Sequence, residues 1–389
     1  MGVVSVEYRH HVRPLTIGIA MGVRGWRQDG RAGGKVRPLT ENDIPEVAEL
    51  YTRIFGVHLG RSAQEVAPYL TEIFCHNPWR DDELPSLVCE EADGRIIGCL
   101  GVVPRPMSLG GRPIRAAIAH TFMVGPADRA TLAGFRLLQA FLAGSQDLSI
   151  AEGNDTSRRL WEAFGGATSL LYSLRWARPL RPARYILTVL QRRGWSVLWE
   201  STLRPLVSLI DVVATRTRFR PPAPRLSAEE LTEETFLAGL GQVSGDRSLR
   251  PEYDARSLRW LLELLARKTG RGDFRKVVVR DGRGDTAGWY LYYLNRGGVS
   301  EVVQVAARPD AIGEVREHLL HDAWRRGAVA VSGQLDPGAV RAAPDRYCVF
   351  HHDGGTWMLI HSRHSAVLEA IHRGEAFLSR LEGEWWLGI

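Results

Sequence analysis

Two distant stretches of the sequence share one pattern, and this repeat constrains the fold more than any other feature. "PSLVCEEADGRIIGCLGVV" (85–103) and "RKVVVRDGRGDTAGWYLYYL" (275–294) each read as two strands joined by a tight turn. Two glycines occur at the same spacing in each stretch, namely Gly94, Gly98, Gly284 and Gly288. Each stretch is followed by a third strand, a helix and a buried strand. We infer that one α/β unit occurs twice.

The first copy predicts alternating helices and strands between residues 36 and 178. Two helices follow an opening strand, and the second begins with a capping pattern of Ser62 and Glu65. After the hairpin come the strand "RPIRAAIAHTFMV", the helix within "VGPADRATLAGFRLLQAFL", the strand "DLSIAEG", the helix "NDTSRRLWEAFGG" and the strand "SLLYSLRWARPL". We expect Asn154 or Asp155 to cap the helix "NDTSRRLWEAFGG".

The second copy follows a linker of different composition. Two helices are predicted in the linker, at about 183–193 and 196–217, and two more after it, at 229–240 and 254–267. The copy ends with the strand "TWMLIH" and the tail "LEGEWWLGI". We expect an α/β (α+β) chain of four parts: a loosely ordered extension 1–35 (or a stretch added by a start codon assigned too early), a first domain 36–178, a helical basic linker 179–225 and a second domain 226–389.

Positive charge is concentrated in the linker. The 389 residues carry a net charge of +6, whereas residues 175–225 contain eleven arginines against two acids, a net charge of +9. An apolar stripe within 196–217 would let 183–220 make peripheral contact with an anionic membrane. The stripe consists of Trp199, Leu203, Leu206, Val207, Ile210 and Val213. We favour the other interpretation, in which the stripe packs against protein and the arginines are solvated. No apolar run of about 18 residues predicts a membrane span.

The cysteines show no functional pattern. Cys75, Cys89, Cys99 and Cys348 lack the spacing of a metal site or a redox motif. We therefore expect a reduced, cytoplasmic protein without a metal.

The order of elements and several motifs resemble the GNAT acyl-CoA N-acyltransferases. The match covers about 36–178, with a fainter copy at about 275–362. "NPWRDDELPSLV", "NDTSRRLWEAFGG" and "LSRLEGEWW" are similar to a bacterial group of tandem GNAT proteins described as acetyltransferases. The resemblance implies two GNAT-like mixed-sheet domains in tandem, with acetyl-CoA or another acyl-CoA as co-substrate.

The resemblance also implies where the CoA diphosphate would bind. The family uses backbone N–H groups at a helix N-terminus, within the pattern (Gln/Arg)-x-x-Gly-x-(Gly/Ala). The matching frame in this sequence is Arg129, Ala130, Thr131, Leu132, Ala133 and Gly134. Leu132 stands in place of the central glycine, which would cost backbone freedom if the bend requires a positive φ. The backbone N–H groups near Met123 and Val124 would polarise the thioester carbonyl.

The segment "NDTSRRLWEAFGG" resembles the second motif of the family. Asn154 and Ser157 match it, and the resemblance implies that the asparagine touches the CoA arm. Trp161 replaces a tyrosine that can protonate the departing thiolate in the family. Because an indole N–H does not ionise near neutral pH, we expect Trp161 to pack against CoA or the core.

An N-acyltransferase needs a group that takes a proton from the amine acceptor. His120 and Thr121 on the third strand and Glu152 at the end of the next strand occupy suitable positions. A histidine suits the role because its intrinsic pKa is about 6.5. The alternative for His120 is a hydrogen-bonded core residue.

The second copy departs from these motifs. Asp310 lies near the expected phosphate position, close to Arg308, and a carboxylate there repels an anion. We expect this half to be a structural copy. The aromatic run 289–293 either lines the acceptor cleft or, as we favour, packs within the sheet. Trp385 and Trp386 either stack on a sugar or, as we favour, belong to a docked tail.

The leading hypothesis is an N-acyltransferase that moves an acyl group from CoA to an amine of a small metabolite or sugar by direct attack. The alternative is a catalytically silent GNAT-fold binding or scaffold protein of an envelope or polysaccharide pathway. A third reading compares the chain with tandem transferases that use aminoacyl-tRNA, but the coiled-coil arm of those proteins has no counterpart in the sequence. Nucleic acid is therefore not an expected partner.

Overall fold

The structure is a computed structural model whose described part covers most of the chain after residue 33. It describes residues 34–128, 132–192, 207, 209–211, 213, 219–245, 247–268, 270–342, 347–352 and 356–387. The expected extension, up to residue 33, and most of the expected helix 196–217 lie outside the described residues.

Strands and helices alternate along both halves of the chain. The strands are β1 (Lys35–Pro38), β2 (Leu87–Glu90), β3 (Ile96–Leu109), β4 (Arg112–Val124), β5 (Leu148–Gly153), β6 (Ala167–Ser169), β7 (Leu174–Pro179), β8 (Ser227–Glu230), β9 (Leu249–Pro251), β10 (Asp273–Arg280), β11 (Thr286–Leu294), β12 (Val299–Ala307), β13 (Ala330–Gln334), β14 (Val349–His352) and β15 (Trp357–Ser362). The α-helices are α1 (Ile44–Leu59), α2 (Ala63–Phe74), α3 (Ala133–Leu142), α4 (Asp155–Ala163), α5 (Leu170–Ser173), α6 (Pro182–Arg192), α7 (Glu233–Val243), α8 (Ala255–Ala266), α9 (Ile312–Arg325), α10 (Pro337–Ala342) and α11 (Ser365–His372).

The described residues divide into two units, each built on one mixed sheet. The N-terminal unit comprises 34–169, 356–371 and 382–387, and the C-terminal unit comprises the described residues of 170–352 and 372–381. The first sheet has the order β1-β2-β3-β4-β5-β15-β6, and the second has the order β8-β10-β11-β12-β13-β7-β14. Along both orders the neighbours are antiparallel, except for β4–β5 in the first sheet and β12–β13 in the second. The predicted fold class, with a repeated α/β unit, is confirmed.

The last long strand of each half lies in the sheet of the other half. β7, from the first half of the sequence, pairs with β13 and β14, whereas β15, from the second half, pairs with β5 and β6. The linear order of elements had grouped each strand with its own half. That grouping is wrong because antiparallel pairing can join residues that are far apart in the sequence, and the order of elements does not show which strand takes each place in a sheet.

The two hairpins that defined the repeat have the same turn geometry. Gly94 and Gly284 adopt φ values of +89° and +87°, which favour glycine. The N–H of Gly94 donates to the Glu91 carbonyl at 3.0 Å, and the N–H of Gly284 donates to the Asp281 carbonyl at 2.9 Å. The identical spacing in the sequence therefore corresponds to identical local structure.

Several helix boundaries follow the predicted capping residues. Ser62 and Glu65 form the expected capping box at the start of α2, and Asn154 caps α4. The helix predicted at 229–240 is wrong at its start, because residues 227–230 form the edge strand β8 beside β10. Helix α7 begins later, after its cap Thr232.

The described part of the linker shows helix α6 and a few residues of the expected stripe. Val207 is buried as expected, but Ile210 and Val213 are 48% and 56% exposed, so their expected packing is wrong. The buried carboxylate of Asp211 accepts the N–H of Ala183 at 2.9 Å and thereby caps α6. In the described part of the chain, every helix is too short or too polar to cross a membrane.

In each unit one helix contributes several residues to the apolar core of the sheet. In the N-terminal unit, Leu137 and Phe141 of α3 lie on Val102 and Phe122 of the sheet. In the C-terminal unit, helix α9 packs on Tyr290 and Tyr292 among other buried residues. Helix α3 follows strand β4, and helix α9 follows strand β12.

Candidate active site

The parallel strands β4 and β5 pair over three residues and then separate. Pairing joins residues 116–118 to residues 148–150, and no later pair joins them in the described part of the two strands. His120 and Thr121 follow the last paired residue of β4, and Glu152 follows the last paired residue of β5. All three predicted proton acceptors therefore lie beside one opening, which we term the N-terminal splay.

A β-bulge in β4 lies at this opening. Between the pairs Cys99–Met123 and Gly101–His120, β4 has one residue more than β3. Thr121 lies in the bulge with a φ of +53°, the one positive φ at a non-glycine position among the described residues. For a β-branched residue such a conformation costs about 1–3 kcal/mol and is held by its surroundings. The Thr121 hydroxyl is buried without a hydrogen-bond partner, so the bulge combines backbone strain with an unpaired polar atom.

His120 is a buried histidine with one engaged nitrogen. The residue is 5% exposed, and its Nδ1 lies 3.2 Å from Oε1 of Glu384. Its Nε2 is buried and has no hydrogen-bond partner. The Phe74 ring lies 6.0 Å from the imidazole, and it fits there because Gly101 has no Cβ, which would lie 2.3 Å from that ring. The pocket around His120 is thus tight, with one unsatisfied nitrogen.

Glu384 bridges the two strands of the splay. Its Oε1 contacts His120 on β4, while its Oε2 accepts the backbone N–H of Glu152 on β5 at 3.2 Å. The Glu152 carboxylate in turn accepts the N–H of Trp385 at 3.2 Å. Sequence analysis missed Glu384, although the two acids set beside tryptophans in "LEGEWW" were the available signal.

The chain segment 382–387 is anchored within the N-terminal unit. Glu382 lies 3.5 Å from Arg105, and both side chains are fully buried. The Arg105 guanidinium stacks on Trp79 at 4.0 Å, and Trp386 packs edge-on against the same indole. The predicted docked tail is confirmed for Trp386, which is fully buried. These contacts fix the backbone that presents Glu384 to His120.

The expected phosphate loop is described only at its end. Arg129, Ala130 and Thr131 lie outside the described residues. Leu132 has a φ of −80°, which leucine adopts without strain, so the expected cost of replacing glycine does not arise. Its side chain is 39% exposed. Ala133 and Gly134 are buried at the start of α3, where the helix dipole favours an anion.

Met123 and Val124, the residues expected to polarise a thioester, lie at the end of β4. They face Cys99 and Gly98 across the ladder, and their role toward a carbonyl stays a prediction. The carboxylate of Asp128 follows and is held by two contacts of 3.1 Å from Arg95. This pairing neutralises the acid that precedes the expected phosphate loop.

The second motif has a clear structural role. The Asn154 side chain accepts the N–H groups of Thr156 and Ser157 at 3.0 and 2.9 Å. Trp161 is 3% exposed and donates its indole N–H to the Ile360 carbonyl at 2.9 Å. Of the two expectations for Trp161, core packing is confirmed. The Ser157 hydroxyl is buried without a partner, and its role toward CoA stays a prediction.

The comparisons with known proteins rest on the fold. The sequence matches no protein-family model and no curated protein. The structure resembles a GCN5-related N-acetyltransferase from Anabaena variabilis ATCC 29413, with a TM-score of 0.53 and 12% identity over 84% of this chain and 72% of that chain. It also resembles a conserved protein of unknown function and probable N-acyltransferase from Enterococcus faecalis V583 (TM-score 0.55, 9% identity, 84% and 72% coverage). A third similar structure is a GCN5-related N-acetyltransferase from Kribbella flavida (TM-score 0.50, 12% identity, 84% and 70% coverage).

The chain has the GNAT fold. At 9–12% identity the likeness establishes the fold and leaves the activity to the residues of the site.

The C-terminal GNAT-like unit differs from the N-terminal one at the same elements. Arg308, which precedes α9, pairs with Asp281 at 2.9 Å and lies 3.5 Å from Asp310. The Arg308 guanidinium holds the pKa of Asp281 below its usual value. The aromatic run Trp289, Tyr290, Tyr292 and Tyr293 is fully buried, so packing within the sheet is confirmed and a role in a cleft is wrong.

Three cysteines of the N-terminal unit are free thiols. Cys75, Cys89 and Cys99 are buried, and burial raises the pKa of each thiol. Among the described residues, no group of three His, Cys, Asp or Glu side chains is arranged to hold a metal ion.

Proposed function

We propose that the protein is an acyl-CoA-dependent N-acyltransferase whose reaction takes place at the N-terminal splay. The observation that carries this proposal is the buried imidazole of His120, with one nitrogen beside Glu384 and the other without a partner. Support at the level of fold comes from the similar structures, two of which are described as N-acetyltransferases.

In the proposed reaction His120 is the general base. With its Nδ1–H donating to Glu384, the imidazole keeps a lone pair on Nε2. Nε2 takes a proton from the amine acceptor, the amine nitrogen attacks the thioester carbonyl, and a C–N bond forms as the C–S bond breaks. The sulfur leaves as the CoA thiolate and is protonated by solvent. Glu384 is a positioning residue, because it acts through the imidazole.

Direct attack agrees with the chemistry of the side chains present. A covalent route would need an activated nucleophile, and the buried thiols of Cys75, Cys89 and Cys99 have raised pKa values that favour the unreactive protonated form. Trp161 is engaged by the Ile360 carbonyl and offers no ionisable proton.

The start of α3 is the proposed binding site for the CoA diphosphate. Helix N-termini attract anions through the dipole and the first backbone N–H groups. Gly134 is buried within the first turn, while Leu132 leaves its side chain partly in solvent. The proposed acceptor is a primary amine of a small metabolite or sugar.

One observation favours the alternative of a silent binding protein. Glu384 and Glu152 are both engaged with neighbours in the splay, and the segment 382–387 is firmly anchored. If this segment stays in place, the opening serves recognition and not turnover.

Calorimetric titration with acetyl-CoA tests the proposal. We expect saturable binding to the wild type and about tenfold weaker binding to Leu132→Asp, since a carboxylate beside the diphosphate repels it. Both Asp and Asn are good helix N-caps, so Leu132→Asn is the matched neutral control and should retain binding. Release of free thiol in the presence of a panel of primary amines then tests turnover.

Two results would contradict the proposal in different ways. No heat with acetyl-CoA at high protein concentration removes the enzyme and leaves the silent alternative. Equal binding by Leu132→Asp and Leu132→Asn would move the CoA site away from α3.

A further inference from the structure

The C-terminal unit contains a partly open cavity of about 120 Å³ beside its own separated strands. β12 and β13 pair through residues 299–301 and 330–332 and then separate, as β4 and β5 do. We term the region beyond the last pair the C-terminal splay, and the cavity lies in this region. Its apolar wall includes Trp176, Val302, Val303, Val305, Ile312 and Phe377.

The cavity occupies the same place in the sheet as the proposed reaction site in the other unit. The partner of Gly98 is Val124, and His120 lies four residues before it. The partner of Gly288 is Ala307, and Val303 lies four residues before that.

Counting along the strands in the same way gives cavity residues as the counterparts of Thr121 and Glu152, the other two predicted proton acceptors. Gln304 is the counterpart of Thr121, and Gln334, two residues beyond the last parallel pair, is the counterpart of Glu152. Val303, Gln304 and Gln334 all line the cavity, and none of them is ionisable.

The polar groups of the lining already have protein partners. Gln304 accepts the indole N–H of Trp289 at 2.9 Å and donates to Ser379 at 3.2 Å. Gln334 donates to the Tyr172 carbonyl at 3.0 Å. The Asp336 carboxylate is held by Arg247 at 2.7 and 3.0 Å. Two guanidinium groups, those of Arg316 and Arg380, also line the cavity, and Arg380 pairs with Glu301 at 3.3 Å. A ligand therefore meets mainly apolar surface, beside amide and carboxylate groups that are already hydrogen-bonded.

We infer that the C-terminal splay is a binding site for a small uncharged apolar group, an aromatic ring or a short alkyl chain. An apolar cavity of roughly 150 Å³ stays dry and accepts benzene, so about six to eight carbon atoms suit the volume here. Burying that surface drives binding without any hydrogen bond from the ligand. The inference does not depend on the proposed acyltransferase activity.

Thermal unfolding of the full chain with toluene as the probe tests the site. At a toluene concentration of ten times its Kd, we expect the Tm of the wild type to rise by about 1–2 °C in a saturable manner. Cyclohexane tests alkyl binding in the same way, and glycerol is the polar control.

Substitutions that fill the cavity locate the binding. Val303→Phe on β12 and Ala339→Phe on α10 both add bulk to lining positions, so each folded variant should lose the toluene-induced shift. Val349→Phe is the matched control, since Val349 is 39% exposed and does not line the cavity. It should keep the shift.

Each result of these unfolding experiments either supports or overturns the inference. Loss of the shift in either folded filled variant, with retention in Val349→Phe, supports the inference, and Ala339→Phe decides if Val303→Phe does not fold. A wild type without a saturable shift, or filled variants that respond like the wild type, overturns it.

Discussion

In the N-terminal unit the pair β4–β5 separates beyond residues 118 and 150, and in the C-terminal unit the pair β12–β13 separates beyond residues 301 and 332. The surrounding strands have the same order and directions. At matching positions the first splay has His120 and Thr121, and the second has Val303 and Gln304. The backbone is thus alike where the side-chain chemistry is not.

The two splays also differ in how well their polar groups are satisfied. His120 and Thr121 each have a buried polar atom without a partner, and Thr121 has a strained φ. Gln304, the counterpart of Thr121, is hydrogen-bonded on both sides of its amide. Because unsatisfied and strained groups persist mainly where function requires them, this difference supports the proposed chemistry at the first splay and the inferred binding at the second.

The largest expected effect comes from giving the first splay the residue of the second. His120→Val should lower kcat/KM for acyl transfer by about 10²–10⁴-fold, because it removes the proposed base. The assay is release of free thiol from acetyl-CoA with an amine that the wild type accepts. His76→Val makes the same change at an imidazole that is 58% exposed and should leave the rate unchanged. Equal rates for wild type and His120→Val would remove the functional contrast between the splays.

The second prediction compares one ion pair from each unit, Glu382–Arg105 in the N-terminal unit and Glu301–Arg380 in the C-terminal unit. Glu382→Gln removes the negative charge that faces the fully buried guanidinium of Arg105 and should destabilise the N-terminal unit by about 3–5 kcal/mol in urea unfolding.

The control for that change is Glu301→Gln in the C-terminal unit. Glu301 is 21% exposed and contacts Arg380, Arg271 and Arg175, so water and neighbouring groups compensate more of its loss. It should therefore cost less than Glu382→Gln. A larger cost for Glu301→Gln would show that burial does not rank the two anchors.

Features that depend on local sequence were predicted well. The glycine turns, the Asn154 cap and the capping box at Ser62 depend on residues within a few positions of one another. The exchange of β7 and β15 was not predictable, because pairing at long range decides in which sheet each strand lies.

The candidate site was predictable in part for the same reason. The position of His120 and Glu152 follows from the strand order, which the repeat and the family resemblance supplied. Glu384 reaches His120 across 264 residues of sequence, and no local pattern encodes such a contact. The role of Trp161 in the core could be argued from indole chemistry alone, whereas its acceptor, the Ile360 carbonyl, depends on the exchanged strand.

The third prediction, of a smaller effect, compares the stability that one ion pair contributes at the edge strand of each sheet. Arg37 of β1 donates to the Asp43 carboxylate, which is 11% exposed and whose pKa is thereby lowered from 3.8 to about 2. Beside β8, Arg280 pairs with Glu229, which is 59% exposed. Asp43→Asn should therefore cost about 2 kcal/mol at pH 7, and Glu229→Gln less than about 1 kcal/mol.

The third prediction also specifies how the cost of Asp43→Asn in unfolding free energy changes with pH. The folded protein binds a proton at Asp43 less readily than the unfolded chain does, so the stabilisation is complete well above pH 3.8 and is lost as the pH falls toward 2. The difference in unfolding free energy between wild type and Asp43→Asn should shrink over that interval. A difference that stays constant with pH would mean that the ion pair is not its source.

The smallest expected effect tests whether the two units are equivalent where they look most alike. Gly94→Ala and Gly284→Ala each place a Cβ in open space, so backbone strain at positive φ is the only cost. Each should destabilise its unit by about 1 kcal/mol in urea unfolding. Gly241→Ala, within helix α7 and also without a close neighbour, should instead stabilise slightly, because alanine favours a helix. Unequal costs at Gly94 and Gly284 would mean that the two hairpins contribute differently to the free energy of unfolding although their geometry is the same. The difference between the two splays would then extend to the hairpins beside them.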